Sequence, residues 1–307
     1  DGIWKSSDKG ATWQAFGLEN ERIVSKIVAN PAGSQKIYAA TMGLPFERNA
    51  NRGLYKSGIS SANWQQSLFL SEEAGIIDLV ASPTDANTLY AAGWDRIRNN
   101  QESLIAGQNG RIWKSTDGGQ VWNKLGGGLP EGDQCRIGLA IDPNNGQHVF
   151  ASYSDPKLTF SGLYETTDGG ENWQRNPCNG LDTTFQSTFA WYFAQIRINP
   201  YNAQDIWLLG VESFRSLDGG ETWFQAAGYQ QNVHADHYDI AFLSSDQFLL
   251  ATDGGLYRSD DNADNWERAE NIPTTQFYRV AYNPHHPEYY YGGAQDNGTV
   301  VGNKATI

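Results

Sequence analysis

The chain has 307 residues and a formal charge of −13, and this acidity argues against nucleic acids as partners, because their binding rests on clustered Lys and Arg. Its 33 glycines and 13% aromatic residues are typical of short strands joined by tight turns rather than of long helices. No apolar run reaches the roughly 18 residues that a membrane-spanning helix needs, so we expect no insertion into a bilayer.

The first recurring element in chain order is a turn motif with the template Ser/Thr-x-Asp-x-Gly-x-x-Trp. One copy has lost its Asp and Gly, and the last copy carries Ala263 in place of Gly. The closing tryptophans of the copies are 43 to 58 residues apart, and a spacing of this size indicates repetition of one supersecondary unit. The six copies occupy residues 6–13, 57–64, 115–122, 166–173, 216–223 and 259–266.

A second pair of strands lies between successive copies of the motif. Residues 23–29 and 36–41 are the first such pair, joined by Asn30-Pro31. The pair returns at four further prolines, whereas one unit carries Ser244-Ser245 instead. Apolar residues alternate with a period of two in these runs, which is typical of strands with two unlike faces. The further prolines are Pro83, Pro143, Pro200 and Pro284.

Each repeat therefore predicts strand, turn, strand, loop, strand, motif turn and strand. Radial repetition of such sheets leaves only short edges exposed, so the predicted fold class is all-β, a β-propeller of four-stranded blades; a stacked solenoid is the alternative. Residues 2–17 form a half blade, five blades follow, and another half begins at residue 276, so that six to seven blades are visible. We expect one domain over residues 1–307, or a piece of a larger propeller or of tandem propellers.

The Asp of the motif has a structural interpretation. Its carboxylate can accept hydrogen bonds from N–H groups of its own turn, while Gly supplies a positive φ and Trp packs between sheets. A single active site would not need five copies of the same residue. We therefore predict folding roles, and no catalytic role, for Asp8, Asp117, Asp168, Asp218 and Asp261.

These turns resemble the Asp boxes of bacterial neuraminidase-repeat (BNR) proteins and of sortilin-type propellers. The strings at residues 233–242, 251–259, 271–278 and 292–298 are similar, in this order, to bacterial sortilin-related propeller proteins, and Ala-Ala-Gly-Trp-Asp-Arg at 91–96 is similar to a Trp-Glu-Arg segment of the same group. The resemblance implies recognition and export to the cell surface, the periplasm or the medium. Because these relatives generally continue into further blades, it also implies a larger multidomain parent protein.

Propellers bind ligands where the loops before and after the innermost strands converge, and polar residues gather in these loops of the second half. A His-x-Asp-His string precedes one predicted inner strand, an Asp follows the next strand, and Gln-Asp-Asn occupies the equivalent position one blade later. The string is a weak zinc signal, and a hydrogen-bonded network is the favoured interpretation, so we predict neither metal nor cofactor. The predicted ligand-binding residues are His234, Asp236, His237, Asp253, Gln295, Asp296 and Asn297.

Two further patterns leave alternatives open. Aligning the inner strands on their turns places Asp78 and Asp239 in one register, and such a carboxylate pair could perform glycoside hydrolysis if correctly separated. Salt bridges between neighbouring blades explain the same pattern and are favoured. The aromatic residues around Trp94 and Trp191–Phe193 could stack on a sugar or anchor a peptide. Two cysteines, Cys135 and Cys178, permit one disulfide or two thiols.

We therefore predict a non-catalytic binding or scaffold propeller that recognises a protein, a peptide or a glycan. The alternative is a xyloglucanase-like glycoside hydrolase that uses Asp78 and Asp239. Sialidase chemistry is disfavoured, because the Phe/Tyr-Arg-Ile-Pro segment that accompanies the first arginine of the sialidase triad is missing.

Overall fold

A computed structural model describes residues 1–29, 32–33, 35–270, 272 and 275–306. The turn predicted at Asn30-Pro31 lies outside these residues. The chain divides into two compact units, Asp1–Gln225 (unit 1) and Ala226–Ile307 (unit 2), and the single domain over 1–307 stays a prediction. In the described part of the chain the helical structure is one 3₁₀ turn, Tyr229–Gln231, and no helix there is long and apolar enough to cross a membrane.

Unit 1 begins with a two-stranded sheet and continues with four-stranded antiparallel sheets, the last of which reaches the unit boundary. A short hairpin is inserted between the second and third strands of one of these sheets. The two-stranded sheet consists of β1 (Trp4–Lys5) and β2 (Gln14–Ala15). The next sheet consists of β3 (Val24–Ala29), β4 (Lys36–Thr41), β5 (Gly53–Gly58) and β6 (Gln65–Leu68). The sheet after it consists of β7 (Ala74–Ala81), β8 (Leu89–Asp95), β11 (Ile112–Ser115) and β12 (Asn123–Lys124). The inserted hairpin, between β8 and β11, consists of β9 (Ile97–Arg98) and β10 (Ser103–Leu104).

The two remaining sheets of this series follow the same order. They consist of β13 (Ile137–Asp142), β14 (Asn145–Ser154), β15 (Phe160–Thr166) and β16 (Gln174–Arg175), and of β17 (Ile196–Asn199), β18 (Asn202–Leu208), β19 (Ser213–Ser216) and β20 (Phe224–Ala227).

Unit 2 contains one four-stranded and one three-stranded antiparallel sheet. The series of sheets along the described chain therefore matches the predicted half blade, five blades and further half. The strands are β21 (His237–Phe242), β22 (Phe248–Thr252), β23 (Gly255–Ser259) and β24 (Glu267–Arg268), and β25 (Phe277–Asn283), β26 (His286–Ala294) and β27 (Thr299–Gly302).

The core of unit 1 lies between successive sheets. Tyr38 and Leu54 of one sheet pack with Ile76 and Leu79 of the next, and comparable clusters fill the following two gaps. A sheet covered on both faces has no solvent side, and for this reason every residue of β8 is buried. Burial of apolar area at about 25 cal/mol per Å² is the main stabilising term of such a core.

The five motif turns that retain Asp share one hydrogen-bond arrangement. In the turn of Asp168, the Thr166 hydroxyl donates to the carboxylate at 2.7 Å, and the N–H of Asn172 donates to it at 2.9 Å. The N–H of Gly170 donates to the Thr166 hydroxyl at 3.0 Å, and this glycine has φ 95°, a conformation that costs glycine little. Hydrogen bonds donated within the turn lower the pKa of each of these carboxyls, Asp8, Asp117, Asp168, Asp218 and Asp261.

The motif tryptophans do not share one environment. Trp173, Trp223 and Trp266 are buried, as expected for rings that pack between sheets, whereas Trp13 is 58% exposed. Trp13 immediately precedes β2, and the two-stranded sheet of β1 and β2 has no third or fourth strand among the described residues. Both cysteines are free thiols, Cys135 buried and Cys178 half-buried, which decides against the disulfide.

Candidate functional site

The polar residues predicted to bind a ligand converge at one end of the unit 2 sheets. In an antiparallel four-stranded sheet, the loop that enters the first strand and the loop that joins the second strand to the third lie at the same end, here called the entry end. Asp236 immediately precedes β21, Asp253 follows β22 and Asp296 follows β26. Carboxylate oxygens of these three residues lie within 4.8 Å of one another.

Main-chain contacts hold the two histidines of the string. His237 is fully buried, and its Nε2 lies 2.9 Å from the carbonyl oxygen of His234. The His234 ring contacts two carbonyl oxygens, Nδ1 that of Ala235 at 3.0 Å and Nε2 that of Asp296 at 3.2 Å. Imidazoles engaged in this way organise the loops, and the side chains that face one another are carboxylates.

Close packing and backbone conformation fix this arrangement. A Cβ on Gly254 would lie 2.3 Å from Cβ of His234, so the loop after β22 can approach that histidine only with glycine there. Asp236 and Asp296 have φ of 67° and 53°, a left-handed conformation in which Asp and Asn are enriched. The Asn297 side-chain amide donates to the carbonyl oxygens of Asp253 at 3.0 Å and of Gln295 at 2.8 Å.

The electrostatics of the cluster follow from burial and like charge. Burial, and then the negative charges of Asp253 and Asp296, raise the pKa of Asp236 above its ordinary value. Burial lowers the pKa of His237 to about 4, so this imidazole is neutral at pH 7. The cluster therefore offers hydrogen-bond acceptors, and protonation of Asp236 would relieve repulsion among the carboxylates.

A cleft of about 570 Å³ adjoins the cluster in unit 2. Among its lining residues are Asp253, Gln295 and Asn297 from the predicted set, together with Arg268 and Gln276, which the sequence did not single out. The Nε of Arg268 donates to the carbonyl oxygen of Gly254 at 2.8 Å. The five polar side chains named here include both hydrogen-bond donors and acceptors.

The two aspartates of the alternative catalytic pair occupy equivalent positions in their own sheets. In each sheet the register between the first and second strands shifts by one residue just before the aspartate. The shift occurs at Ile77, before Asp78, and at Tyr238, before Asp239. Asp78 is buried, and its two carboxylate oxygens accept the N–H groups of Leu79 and Leu139, both at 2.9 Å. Asp239 accepts the N–H of Ile240 at 3.0 Å. Asp78 thus connects the inner strands of neighbouring sheets through main-chain N–H groups, whereas the sequence favoured a salt bridge between blades.

The four aromatic residues singled out by the sequence, Trp94, Trp191, Tyr192 and Phe193, lie at the entry end of unit 1. Trp94 and Phe193 are buried, while Tyr192 is 44% exposed. The Trp94 indole N–H donates to the Ile105 carbonyl oxygen at 2.8 Å, and Trp191 packs edge-on against Tyr192. The guanidinium of Arg96 contacts both the Trp94 and Trp191 rings. The sequence flagged these rings without revealing that an arginine joins them, because residues 96 and 191 are distant in the chain.

Comparisons with known proteins give two families of relatives. A family model described as photosynthesis system II assembly factor YCF48 matches residues 158–300. An alignment of 219 positions with the xyloglucanase Xgh74A of Acetivibrio thermocellus shows 26% identity and covers 63% of this chain and 24% of that enzyme. A xyloglucanase of Hypocrea jecorina is 27% identical over 217 residues, covering 64% and 23% of the two chains. This chain therefore spans about a quarter of the length of these curated relatives.

Solved structures resemble the chain at the level of the fold. The GH74 xyloglucanase from Xanthomonas campestris has a TM-score of 0.55 at 16% identity, covering 98% of this chain and 54% of that one. An ancestral GH74 enzyme has a TM-score of 0.60 at 16% identity, covering 95% and 39%. Together with the repeated four-stranded sheets, this likeness shows that the chain has the β-propeller fold, in place of the stacked solenoid.

Proposed function

We propose that this chain is a non-catalytic binding propeller that recognises a glycan through the unit 2 cleft. The observation that carries the proposal is the polar cleft of about 570 Å³, a volume within the roughly 300–1,000 Å³ of ligand sites. Sugar hydroxyls both donate and accept hydrogen bonds. The carboxylate of Asp253, the guanidinium of Arg268 and the side-chain amide of Gln295 provide partners of both kinds.

The lining of the cleft favours binding over hydrolysis. Among the described residues, Asp253 is the one carboxylate that lines it, and this carboxylate accepts the Tyr238 hydroxyl. Most glycoside hydrolases require two carboxyl groups that flank the scissile bond. The likeness to xyloglucanases at 26–27% identity supports a glycan as the ligand class, while the single lining carboxylate supports recognition without cleavage.

The wider setting is part of the proposal. We place the chain in a multidomain protein exported to the cell surface, the periplasm or the medium, as the sortilin-like strings imply. Peptides and proteins remain the alternative class of ligand, because sortilin-type propellers act as peptide receptors.

Isothermal titration with xyloglucan oligosaccharides tests the proposed function. Gln295→Ala removes a lining amide whose side chain has no hydrogen bond among the described residues, so we expect binding about tenfold weaker with the fold unchanged. Gln230→Ala, an exposed glutamine of the 3₁₀ turn in the same unit, is the matched control and should bind like the wild type. Retention of a peptide library with no binding of any glycan would overturn the proposal.

Hydrolysis of a glycan is the second candidate, and the xyloglucanase relatives favour it. Release of reducing ends from a polysaccharide panel measures it directly, with wild type, Asp78→Asn and Asp239→Asn compared. Activity that either substitution abolishes, in a variant whose circular dichroism spectrum is unchanged, would replace the binding proposal. We expect no release above background with any of the three proteins.

A further inference from the structure

A second pocket, of about 360 Å³, lies at the entry end of unit 1. Three segments that are distant in the chain form it. The β9–β10 hairpin provides Arg98 and Ser103, the loop after β14 provides Leu158, and the loop before β17 provides Trp191. No residue of the predicted ligand-binding set belongs to it.

Arg96 lies at the base of this pocket between two indole rings. Its guanidinium carbon is 5.6 Å from the Trp94 ring centroid and 5.1 Å from that of Trp191. Nη1 donates to the carbonyl oxygens of Ile97 and Leu104, both at 3.2 Å. Within the described ranges the guanidinium makes no other hydrogen bond, so Nε and Nη2 are available to a ligand.

Within the described part of the chain, no carboxylate lines this pocket beside its two arginines. Arg98 is exposed and forms no ion pair with any residue that the structure describes. The nearby carboxylates are engaged elsewhere: Glu102 binds Arg48 with two contacts of 2.9 Å, and Asp95 accepts the N–H and the side-chain amide of Asn109 at 2.8 Å. Two cationic side chains that have no carboxylate beside them among the residues the structure covers are unexpected in a chain of net charge −13.

The surroundings of Arg96 disfavour its positive charge. Burial lowers its pKa, and the positive charge of Arg98 acts in the same direction. An anion placed between the two guanidinium groups would oppose both effects, because it stabilises the charged form of each. Arginine forks hold carboxylates with two parallel hydrogen bonds in favourable cases.

The pocket is built on restrained loops. The N–H of Arg98 donates to the Pro45 carbonyl oxygen at 2.8 Å, and the Asn99 side chain donates to that of Phe46 at 3.0 Å. On the opposite side, the N–H of Ala190 donates to the Leu158 carbonyl oxygen at 3.0 Å. Hydrogen bonds of this kind reduce the entropy that a ligand must remove on binding.

We propose that this pocket binds the carboxylate of an acidic sugar, a uronate residue of a glycan. The two guanidinium groups receive the carboxylate, Ser103 offers its hydroxyl to the sugar ring, and the side chains of Trp191 and Leu158 provide the apolar wall on which a ring packs. The volume of about 360 Å³ lies near the lower end of the roughly 300–1,000 Å³ of ligand sites, which is consistent with a small occupant. This site lies in unit 1 and does not depend on the glycan cleft proposed for unit 2.

Titration with a short oligogalacturonate and its methyl ester tests the site. Both probes have the same hydroxyls, and only the first carries carboxylates, so we expect the acid to bind wild type at least about tenfold more tightly than the ester. Arg98→Gln, an exposed position that should leave the fold intact, should remove that preference, and Ser103→Ala should weaken binding of both probes. Arg22→Gln, exposed and also in unit 1, is the matched control and should retain the preference.

Three outcomes would overturn the proposal. The first is equal affinity of wild type for acid and ester. The second is an unchanged preference for the acid in Arg98→Gln. The third is that a short peptide with a free C-terminus binds more tightly than oligogalacturonate, that this binding depends on Arg98, and that the amidated peptide does not bind. Gln295→Ala changes the unit 2 cleft and leaves this pocket unchanged. If oligogalacturonate still binds to that variant, the unit 1 site stands even where the glycan cleft of unit 2 fails.

Discussion

Asp78 provides a direct test of whether a buried carboxylate of this propeller serves the fold or catalysis. Its two oxygens accept the N–H groups of Leu79 and Leu139, two residues that are 0% and 1% exposed. In Asp78→Ala both N–H groups lose their acceptor inside the protein. A buried group left unsatisfied costs about 1–3 kcal/mol, so the free energy of unfolding should fall by about 2–6 kcal/mol. Asp78→Asn keeps one acceptor oxygen and should lose about half as much.

The charge of Asp78 contributes in the same direction. It favours the protonated form of Arg136, and this contribution disappears in both variants. Urea denaturation followed by far-ultraviolet circular dichroism measures the loss from the midpoint and the slope. Glu72→Gln, which changes an exposed carboxylate six residues earlier in the chain, should stay within about 0.5 kcal/mol of wild type.

A specific result would refute this reasoning. If Asp78→Ala unfolds with the wild-type free energy, or is more stable, then Asp78 does not stabilise the junction between the inner strands. A gain in stability is the behaviour of a group kept for function at the expense of folding. That outcome, combined with lost polysaccharide cleavage, would favour the hydrolase.

Two remaining predictions concern pH, and they have opposite signs. Glu21 is buried, its Oε2 has no hydrogen-bond partner among the described residues, and burial raises its pKa to about 7. Its folded-state pKa lies above the unfolded value of 4.5, so the free energy of unfolding should fall, by up to about 3 kcal/mol, as pH rises from about 4.5 through about 7; Glu21→Gln should lose this dependence in urea titrations across that range. Burial lowers the pKa of His237 from 6.5 to about 4, so its contribution to stability should be lost as pH falls from about 6.5 through about 4. Equal pH dependence of wild type and His237→Gln in the same assay would show that this imidazole is not buried in its neutral form.

The repeat pattern alone predicts the four-stranded sheets. A Trp-bearing turn every 43 to 58 residues leaves room for one four-stranded sheet, and the strands found at Val24–Ala29 and Lys36–Thr41 lie where period-two alternation placed them. The same pattern assigned Asp168 and its equivalents to local turn bonds, because a residue that recurs in every blade meets the same neighbours each time. Local hydrogen bonds and strand alternation depend on residues that are close together in the chain, so the sequence alone predicts them.

The contacts that individual side chains make are decided by the tertiary structure. The sequence placed Asp236, Asp253 and Asp296 in loops at one end of the sheets, but only folding shows that carboxylates rather than histidines face one another there. The contact of Arg96 with Trp191 joins residues from different blades, and no periodicity predicts such a pair. Long-range contacts depend on how each sheet packs on the next, and this packing is fixed by the whole core rather than by any segment.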